Sequence, residues 1–461
     1  MTADLITSIP FHRRLRTNLR RLLGLDRAIA FTVLARGWAG FAGLITVTLI
    51  ARFLSASQQG YYFTFGSLVA MQLVFELGFS VVILQLATHE CAHLRLSTTG
   101  AISGDSVAHA RLASVLQKSV RWYSIAAILM VVIVITSGIH FFSKHQMFGE
   151  QVNWIRPWCL LVFAAGFTFQ IDPIFSFLEG CGYVSNVAHT RFWQAALGSI
   201  LAWTALLTHH GLYAPAMMIC GQAISGVIFL SSRRHLIGSL LRYDSAENRV
   251  DWWREVWPFQ WRIAVSYSCG FFIFQLFNPV LFAFWGPLVA GQMGMSLSIG
   301  NMLSAISIAW VNTKAAPFGA MIARHEYEKL DQVFFRSVTQ ATLLCVTASL
   351  IAWLGCVYVN VRGIPFAHRM LTPLPFALLL LAVICNQLVA AEALYLRAHK
   401  QEKFLLNSVI GAVFMGASTY FLGRHYGAIG VTAGYLASAT FIGLGFGTRT
   451  FLKYRRQWHA A

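Results

Sequence analysis

Long apolar runs separated by short polar or charged stretches fill the chain almost from end to end. A helix rises about 1.5 Å per residue, so roughly 20 apolar residues cross a hydrocarbon core about 30 Å thick. On that measure the sequence predicts spans over residues 28–53, 60–88, 118–140, 152–177, 188–208, 212–232, 257–283, 287–311, 336–357, 372–396, 404–422 and 426–450. The expected fold is therefore an all-α polytopic membrane protein of about twelve transmembrane helices. The first run extends from Ala28 to about Leu54. That is too long for the apolar segment of a cleaved signal, so it is expected to stay as a first span.

Charge placement orients these spans. Lys and Arg concentrate in alternate connections, and of the 35 only Lys144, Arg156, Arg362, Arg369 and Arg424 fall on the opposite side, with Arg36 and Arg52 inside the first span. The side rich in cations is cytoplasmic, so both termini are expected there. The longest connections, near 89–117, 233–256 and 312–335, fall on that side too, and none has room for a folded extramembrane domain. From Arg233 to Trp261, Arg alternates with Trp and Leu, which reads as an amphipathic interfacial helix with an aromatic anchor. The organisation that follows is a basic cytoplasmic N-terminus (1–27), a lobe of six spans (28–232), an amphipathic linker (233–256), a second lobe of six (257–451) and a cytoplasmic tail (452–461). A faint repeat relates the halves. The turn leading to Gly60-Tyr-Tyr can be laid on the one leading to Gly291-Gln-Met, each a helix end, a short link, and a Gly in the opening of the next helix.

Composition agrees with a membrane class: 57% of residues are hydrophobic and 11% charged, where a soluble protein carries about a quarter charged. The net charge of +18 does not imply a nucleic-acid partner, because the cations punctuate apolar runs instead of clustering on a solvated domain. The eight cysteines are scattered without a CxxC pair, and read as small packing residues, not as a disulfide or metal framework.

Ionisable residues inside a bilayer are costly, which makes each a functional candidate. Arg36 lies about 12 Å in from the start of the first span, on a face shared with Gly40, Gly43 and Val47. The second span carries Gln72, Glu76 and Ser80 at intervals of four, with Glu76 about 18 Å deep. Arg36 and Glu76 could meet as a structural ion pair or serve a cavity. Thr168, Asp172 and Ser176 share one face of the fourth span, with Glu179 beyond them, and Pro173 is expected to interrupt that helix. A carboxylate beside a broken turn can accept a proton, but Asp-Pro is also an ordinary stop signal. In the second half stand Arg262, Ser266, Gly270, Gln275 and Asn278, then Gln292, Ser296, Gly300 and Ser304 at intervals of four. Such uncharged stripes serve as interhelical hydrogen-bond glue or as ligand contacts. Arg52 and Arg191 are expected to snorkel, and Glu392 to join an interfacial network with Arg397 and Lys400. His89-Glu90-Cys91-Ala92-His93 fits the zinc motif H-E-x-x-H, a remote metalloprotease reading that lacks a credible third ligand. No glycine-rich phosphate loop and no Ser-His-Asp arrangement is visible, so neither an enzyme nor a bound cofactor or metal is expected. Movement of a solute, driven by an ion gradient or the membrane potential, is.

From Ala51-Arg-Phe-Leu-Ser-Ala-Ser-Gln-Gln-Gly-Tyr-Tyr-Phe-Thr-Phe-Gly-Ser-Leu on to Phe75-Glu-Leu-Gly-Phe-Ser, the chain resembles the polysaccharide flippases of the multidrug/oligosaccharidyl-lipid/polysaccharide exporter superfamily. Their first hairpin runs from an Ala-Arg-x-Leu helix end through a polar turn and Gly-x-Tyr to an Asp/Glu-x-Gly. The resemblance covers residues 30–90 and extends beyond them only as a pattern of spans. It implies a MATE-like, pseudo-symmetric pair of six-helix lobes around a central cavity in the bacterial inner membrane. The implied cargo is an undecaprenyl-diphosphate-linked oligosaccharide for O-antigen, capsule or exopolysaccharide. The implied partners are membrane lipids and polymerase or other polysaccharide-assembly proteins, with a monomer as the default state. Related flippases hold the anionic group with cavity arginines. By position Arg36 and Arg262 are the candidates, with Gln72, Gln292 and Ser296 as further cavity contacts and Glu76 and Asp172 as coupling carboxylates. The rival is a multidrug exporter of the same superfamily, whose cationic cargo calls for carboxylates. Arg36 argues against it, while Glu76 and Asp172 keep it open.

Overall fold

The computed structural model describes residues 27–96, 102–145, 152–243, 249–399 and 403–459. Helix α1 spans Arg27–Phe53. Ser55 then starts α2, Ala56–Val69, through a capping box: its Oγ accepts from Gln58 N at 3.1 Å, and Gln58 Oε1 accepts from Ser55 N at 3.0 Å. The second span is not the continuous helix expected over 60–88. It continues as α3, Gln72–Glu76, and α4, Phe79–Cys91, bent by 43° where Leu77 (φ 54°) and Gly78 (φ 62°) are left-handed. The first helix of the second half, residues 257–274, causes the break. A Cβ on Gly78 would overlap its Ile263, and the carbonyl freed at Leu77 accepts from its Gln260 Nε2 at 2.7 Å.

Helix α5 runs Ser106–Lys144, starting well before the expected residue 118, because Asp105 caps it by accepting from Val107 N and Ala108 N, both at 3.2 Å. Strands β1 (Leu94–Leu96) and β2 (Ile102–Gly104) form an antiparallel hairpin ahead of α5 that an all-helical reading does not foresee. Helix α6, Ile155–Gly180, continues through Pro173 instead of stopping there. Helices α7 (Val184–Leu207), α8 (Ala214–Ser232) and α9 (Arg234–Arg242) complete the first half. The linker helix is thus only nine residues long, with Leu236, Ile237 and Leu240 buried.

In the second half α10 is Trp257–Phe274 and α11 is Phe277–Asn312, followed by α12 (Ala315–Ala323), α13 (Tyr327–Val361), α14 (Pro373–Ala398), α15 (Leu405–Ala437), a π-helical stretch Ser438–Thr448 and α16 (Arg449–His459). Helix α13, like α5, starts well before the apolar run that it contains. Helices α11 and α15 each reverse, at Gly286 (φ 82°, ψ 178°) and Gly427 (φ 58°, ψ −138°). A straight helix would hold Asn278 and Gly294 about 24 Å apart, yet both lie against α2, at Ser67 and Phe63. Likewise a Cβ on Gly434 would meet Ser418 Oγ at 2.9 Å. Among the described residues, eight stretches are long and apolar enough to cross a membrane, or nine with the bent second span. Two of these, 260–323 and 405–459, contain the reversals and supply two spans each. Helix α7, packed between α1 and α8, covers the expected span 188–208 but is not among these apolar stretches. Each of the twelve expected spans falls on helical residues, with the differences in start and continuity given above. Helix α16 is docked, not a loose tail: Asp331 of α13 accepts from Arg455 Nε at 2.9 Å and from the Tyr395 hydroxyl at 3.0 Å.

Helices α1 and α4–α8 pack on one another, as do α10, α11 and α13–α15. The two groups meet where α2 crosses α11. A Cβ on Gly60 would overlap the Pro287 carbonyl, and one on Gly291 would sit 2.9 Å from Gly60 N. Gln59 Nε2 donates across the crossing to Gly291 O and Arg369 O, each at 2.8 Å. The two glycines aligned by the internal repeat are therefore in direct contact. Gly60→Ala should force this crossing apart, at a cost of about 1–3 kcal/mol. Hydrogen exchange should rise in residues 56–69 and 287–295 while α5 and α6 stay protected. Unaltered exchange at the crossing would show that it does not depend on the missing side chain.

Candidate functional site

Beside the α2–α11 crossing the helices diverge and enclose a cavity of about 550 Å³. Helix α2 supplies Phe63, Gly66 and Ser67, α11 supplies Asn278, Ser298, Asn301 and Ser304, α14 supplies Asn386, and α15 supplies Tyr435. Residues 294, 297/298, 301 and 304/305 fall on one helical face, so the chain presents these polar groups together. Asn278 Nδ2 donates to Ser67 Oγ at 3.0 Å across the two halves, while Asn278 Oδ1 is buried with no partner among the described residues. Among the described residues no charged side chain lines this space. A second cavity of about 430 Å³ lies between α1, α2, α7, α8 and α11, lined in part by Ala39, Gly43, Val47, Ser199 and Gln222. Phe63 and Ser298 border both cavities, so the two adjoin. A third, apolar groove of about 500 Å³ separates α10 from α15.

Arg36 is exposed and has no hydrogen bond or ion pair among the described residues. It stands one turn before Ala39 and two before Gly43, on the face of α1 that lines the second cavity. Glu76 is half-buried and does not pair with Arg36; it accepts from the Ser80 hydroxyl one turn on. Glu76 and Asp172 instead lie within electrostatic reach of the buried Tyr123, with Arg191 within reach of Asp172. This charged cluster belongs to the first half alone. Arg262 is exposed at the start of α10, its guanidinium 5.6 Å from the Trp261 ring, one turn before the Val265 and Cys269 that border the apolar groove. Gln72 is half-buried.

Two candidates are tied elsewhere. Ser296 is fully buried and accepts from Leu371 N at 3.0 Å, and Gln292 donates to His368 O at 3.1 Å, so both brace the 365–371 connection instead of facing the cavity. The stripe 292, 296, 300, 304 thus lies a fraction of a turn off the true cavity face, sharing only Ser304 with it. Asn301 and Asn386, amides inside apolar runs, are the signals that a search for stripes misses. Glu392 accepts from Thr448 Oγ1 at 2.8 Å, and Lys400 lies outside the described residues.

The H-E-x-x-H motif forms a structural ion pair. Glu90 is buried and accepts from Arg111 Nε at 2.9 Å, and no group of three or more metal-ligating side chains is assembled among the described residues. Arg111 also bonds Glu255 of the linker at 2.5 Å. Around it Lys118 Nζ donates to Val250 O at 2.5 Å, Gln117 Nε2 to Tyr243 O at 2.8 Å, and Val250 N to Ser114 Oγ at 3.2 Å, fastening the linker to α5.

No protein-family model matches the sequence, and no curated protein does. Solved structures share its architecture. One described as lipid II flippase MurJ in an inward closed conformation superposes with a TM-score of 0.57 at 12% identity, covering 93% of this chain and 90% of that one. A point mutant of the Vibrio cholerae MATE transporter VcmN gives 0.56 at 11% identity over 94% and 98%, and a point mutant of another MATE protein 0.53 at 15% over 95% and 98%. The chain therefore has the two-lobed, all-α membrane fold of the MurJ and MATE transporters. It is a multi-pass membrane protein whose structural neighbours are transporters, not enzymes.

The Arg111 guanidinium holds the Glu255 carboxyl below its ordinary 4.5. A depressed folded-state pKa contributes stability above the ordinary value and loses it as pH falls through the folded value. The linker should therefore exchange hydrogen faster at 249–257 as pH drops below about 4.5. Glu255→Gln should exchange fast at neutral pH and show little further acid loosening.

Proposed function

We propose that this protein is a flippase carrying an undecaprenyl-diphosphate-linked oligosaccharide from the cytoplasmic to the outer leaflet of the bacterial inner membrane by alternating access. One observation carries the reading: the larger cavity between the halves is lined by hydroxyls and amides with no carboxylate among the described residues, and an arginine that is exposed and unpaired among the described residues stands on the face of α1 that lines the adjoining cavity. A cavity for organic cations would place carboxylates on that wall, and here the carboxylates sit within the first half, around Tyr123. A guanidinium offers phosphate oxygens a bidentate fork. Arg36 takes that role from the face of α1 that lines the second cavity, and Arg262 is its counterpart on α10. In this reading the α2–α11 crossing serves as the outer gate. Glu76 and Asp172 are the coupling carboxylates, linked to α2–α4 through Ser80 and Tyr123.

The reading is tested by deleting the gene and following lipid-linked oligosaccharide. Glycan held in the cytoplasmic leaflet, out of reach of an added lectin, and released when the wild-type gene returns, is the expected result. Unchanged surface glycan with new sensitivity to cationic drugs would assign the protein to the multidrug exporters. Arg36→Ala should abolish transport without loss of membrane insertion, and Arg36→Lys should keep part of it, since an ammonium retains the charge but not the fork. Full glycan export by the alanine variant would remove Arg36 from the mechanism.

A further inference from the structure

The larger cavity has a chemistry of its own, distinct from that of the arginines. It offers side-chain amides at Gln275, Asn278, Asn301 and Asn386, hydroxyls at Ser67 and Ser304, and the phenol of Tyr435 among phenylalanine rings; Asn386 Nδ2 donates to Ala382 O at 2.9 Å, and the Asn386 side chain also hydrogen-bonds Tyr435. Asn301 is exposed and has no hydrogen-bond partner among the described residues. Asn278 Oδ1 is buried and unpartnered in a residue 6% exposed, an arrangement that leaves a ready acceptor in the wall. Asn301 lies about 22 Å along its helix from the Gly286 reversal and Asn386 about 20 Å from the start of α14, so both stand near the middle of their helices.

A diphosphate would be poorly served here, because no cation among the described residues lines the space and a buried anion without a partner is costly. An organic cation meets no carboxylate. Water alone does not account for a wall of convergent amides interleaved with aromatic faces at the centre of a membrane protein. A neutral, hydroxyl-bearing ring does: each hydroxyl both donates and accepts, matching side-chain amides that do the same, and its apolar face packs on aromatic rings.

Resting on the flippase reading, we infer that this cavity is the carbohydrate subsite, which binds one or more uncharged pyranose units of the cargo through Asn278, Asn301 and Asn386. The diphosphate stays outside it, at the arginines. The subsite is built into the gate. Ser67 comes from α2 and Asn278 from α11, and their 3.0 Å bond closes the cavity wall between the halves. A sugar hydroxyl that takes Asn278 from Ser67 removes one of the bonds holding the halves together, so occupancy favours separation.

The test uses the full chain in detergent or nanodisc and three probes. They are a polyprenyl diphosphate bearing a neutral disaccharide, the same lipid diphosphate without sugar, and one bearing a uronic acid in place of the first sugar. Wild type should bind the neutral glycolipid at least about tenfold more tightly than the bare lipid, since a site built to pair hydroxyls discriminates strongly against their absence. It should also prefer it to the uronate. Asn301→Leu and Asn386→Leu should each erase about tenfold of the preference for sugar while leaving bare-lipid binding unchanged. Asn301→Gln should keep most of it, and unchanged bare-lipid binding is the control for folding. If wild type binds both lipids but neither leucine variant alters the preference, or both probes weaken together, the carbohydrate subsite is refuted and the flippase reading stands. If wild type binds none of the lipids, the subsite and the flippase reading fall together.

Discussion

The crossing of α2 over α11 sets the geometry of everything else. Two backbones approach so closely at Gly60, Pro287 and Gly291 that no side chain fits between them, and the polar contact is made from the flank by Gln59. Helices in such contact at one point must diverge elsewhere, because their axes cross. The divergence creates both cavities that border Phe63 and Ser298. The glycines thus shape the space between the halves by what they lack, and the amides one to three turns further on fill the wall that the divergence exposes.

A second restraint acts nearer the other end of the bundle. The break at Leu77–Gly78 exists so that α10 can pass, and Gln260 satisfies the carbonyl that the break exposes. The linker leading into α10 is pinned to α5 by Arg111, Lys118 and Ser114, so α10 is registered against the first half. The polar bonds that cross between the halves, from Gln59, Gln260 and Asn278, are uncharged and worth about 0.5–1.5 kcal/mol apiece. Their sum is a few kcal/mol, a gap that a ligand with different affinity for two states can overcome. The charged bonds hold the linker, which does not need to release. Strong pairs sit where the structure stays together and weak ones where the halves meet.

The spans were legible because each is a run of apolar residues of fixed minimum length, a pattern that depends on the bilayer more than on tertiary contacts. The glycine repeat was legible for a related reason, since close backbone approach permits only one residue type. What escaped the sequence was whatever a neighbouring helix dictates: the left-handed Leu77, which no propensity favours, the passage of α6 through Pro173, and the early start of α5, whose first turns pack Leu112, Val115 and Leu116 in the core. The candidate site divided along the same line. Arg36, Glu76 and Asp172 stand out by charge in an apolar context, but their partners depend on rotations that spacing does not give. An error of one position in helical phase is enough to exchange the Ser296 face, which braces a loop, for the Asn301 face, which lines the cavity.

The segregation of charge and neutral polarity bears on how coupling can work. In the proposed cycle Glu76 and Asp172 change protonation within the first half, whereas the cavity holds the uncharged sugars of the cargo and offers no charge for them to act upon directly. An uncharged sugar cannot compensate a buried carboxylate, and the carboxylates lie outside the cavity that holds it, so direct competition for one site, the simplest exchange between ion and cargo, is not open to this arrangement. The path must run through helix packing. Phe79 opens α4 directly after the break and stacks at 6.0 Å on Tyr123, the residue that both carboxylates reach, and its other neighbour is Trp252 of the linker at 5.3 Å. One aromatic side chain at the start of the broken helix therefore stands between Tyr123, which lies within electrostatic reach of both carboxylates, and the strap to the second half. A change of charge that shifts Tyr123 can bend the second span at Leu77–Gly78 and so alter how α2 meets α11.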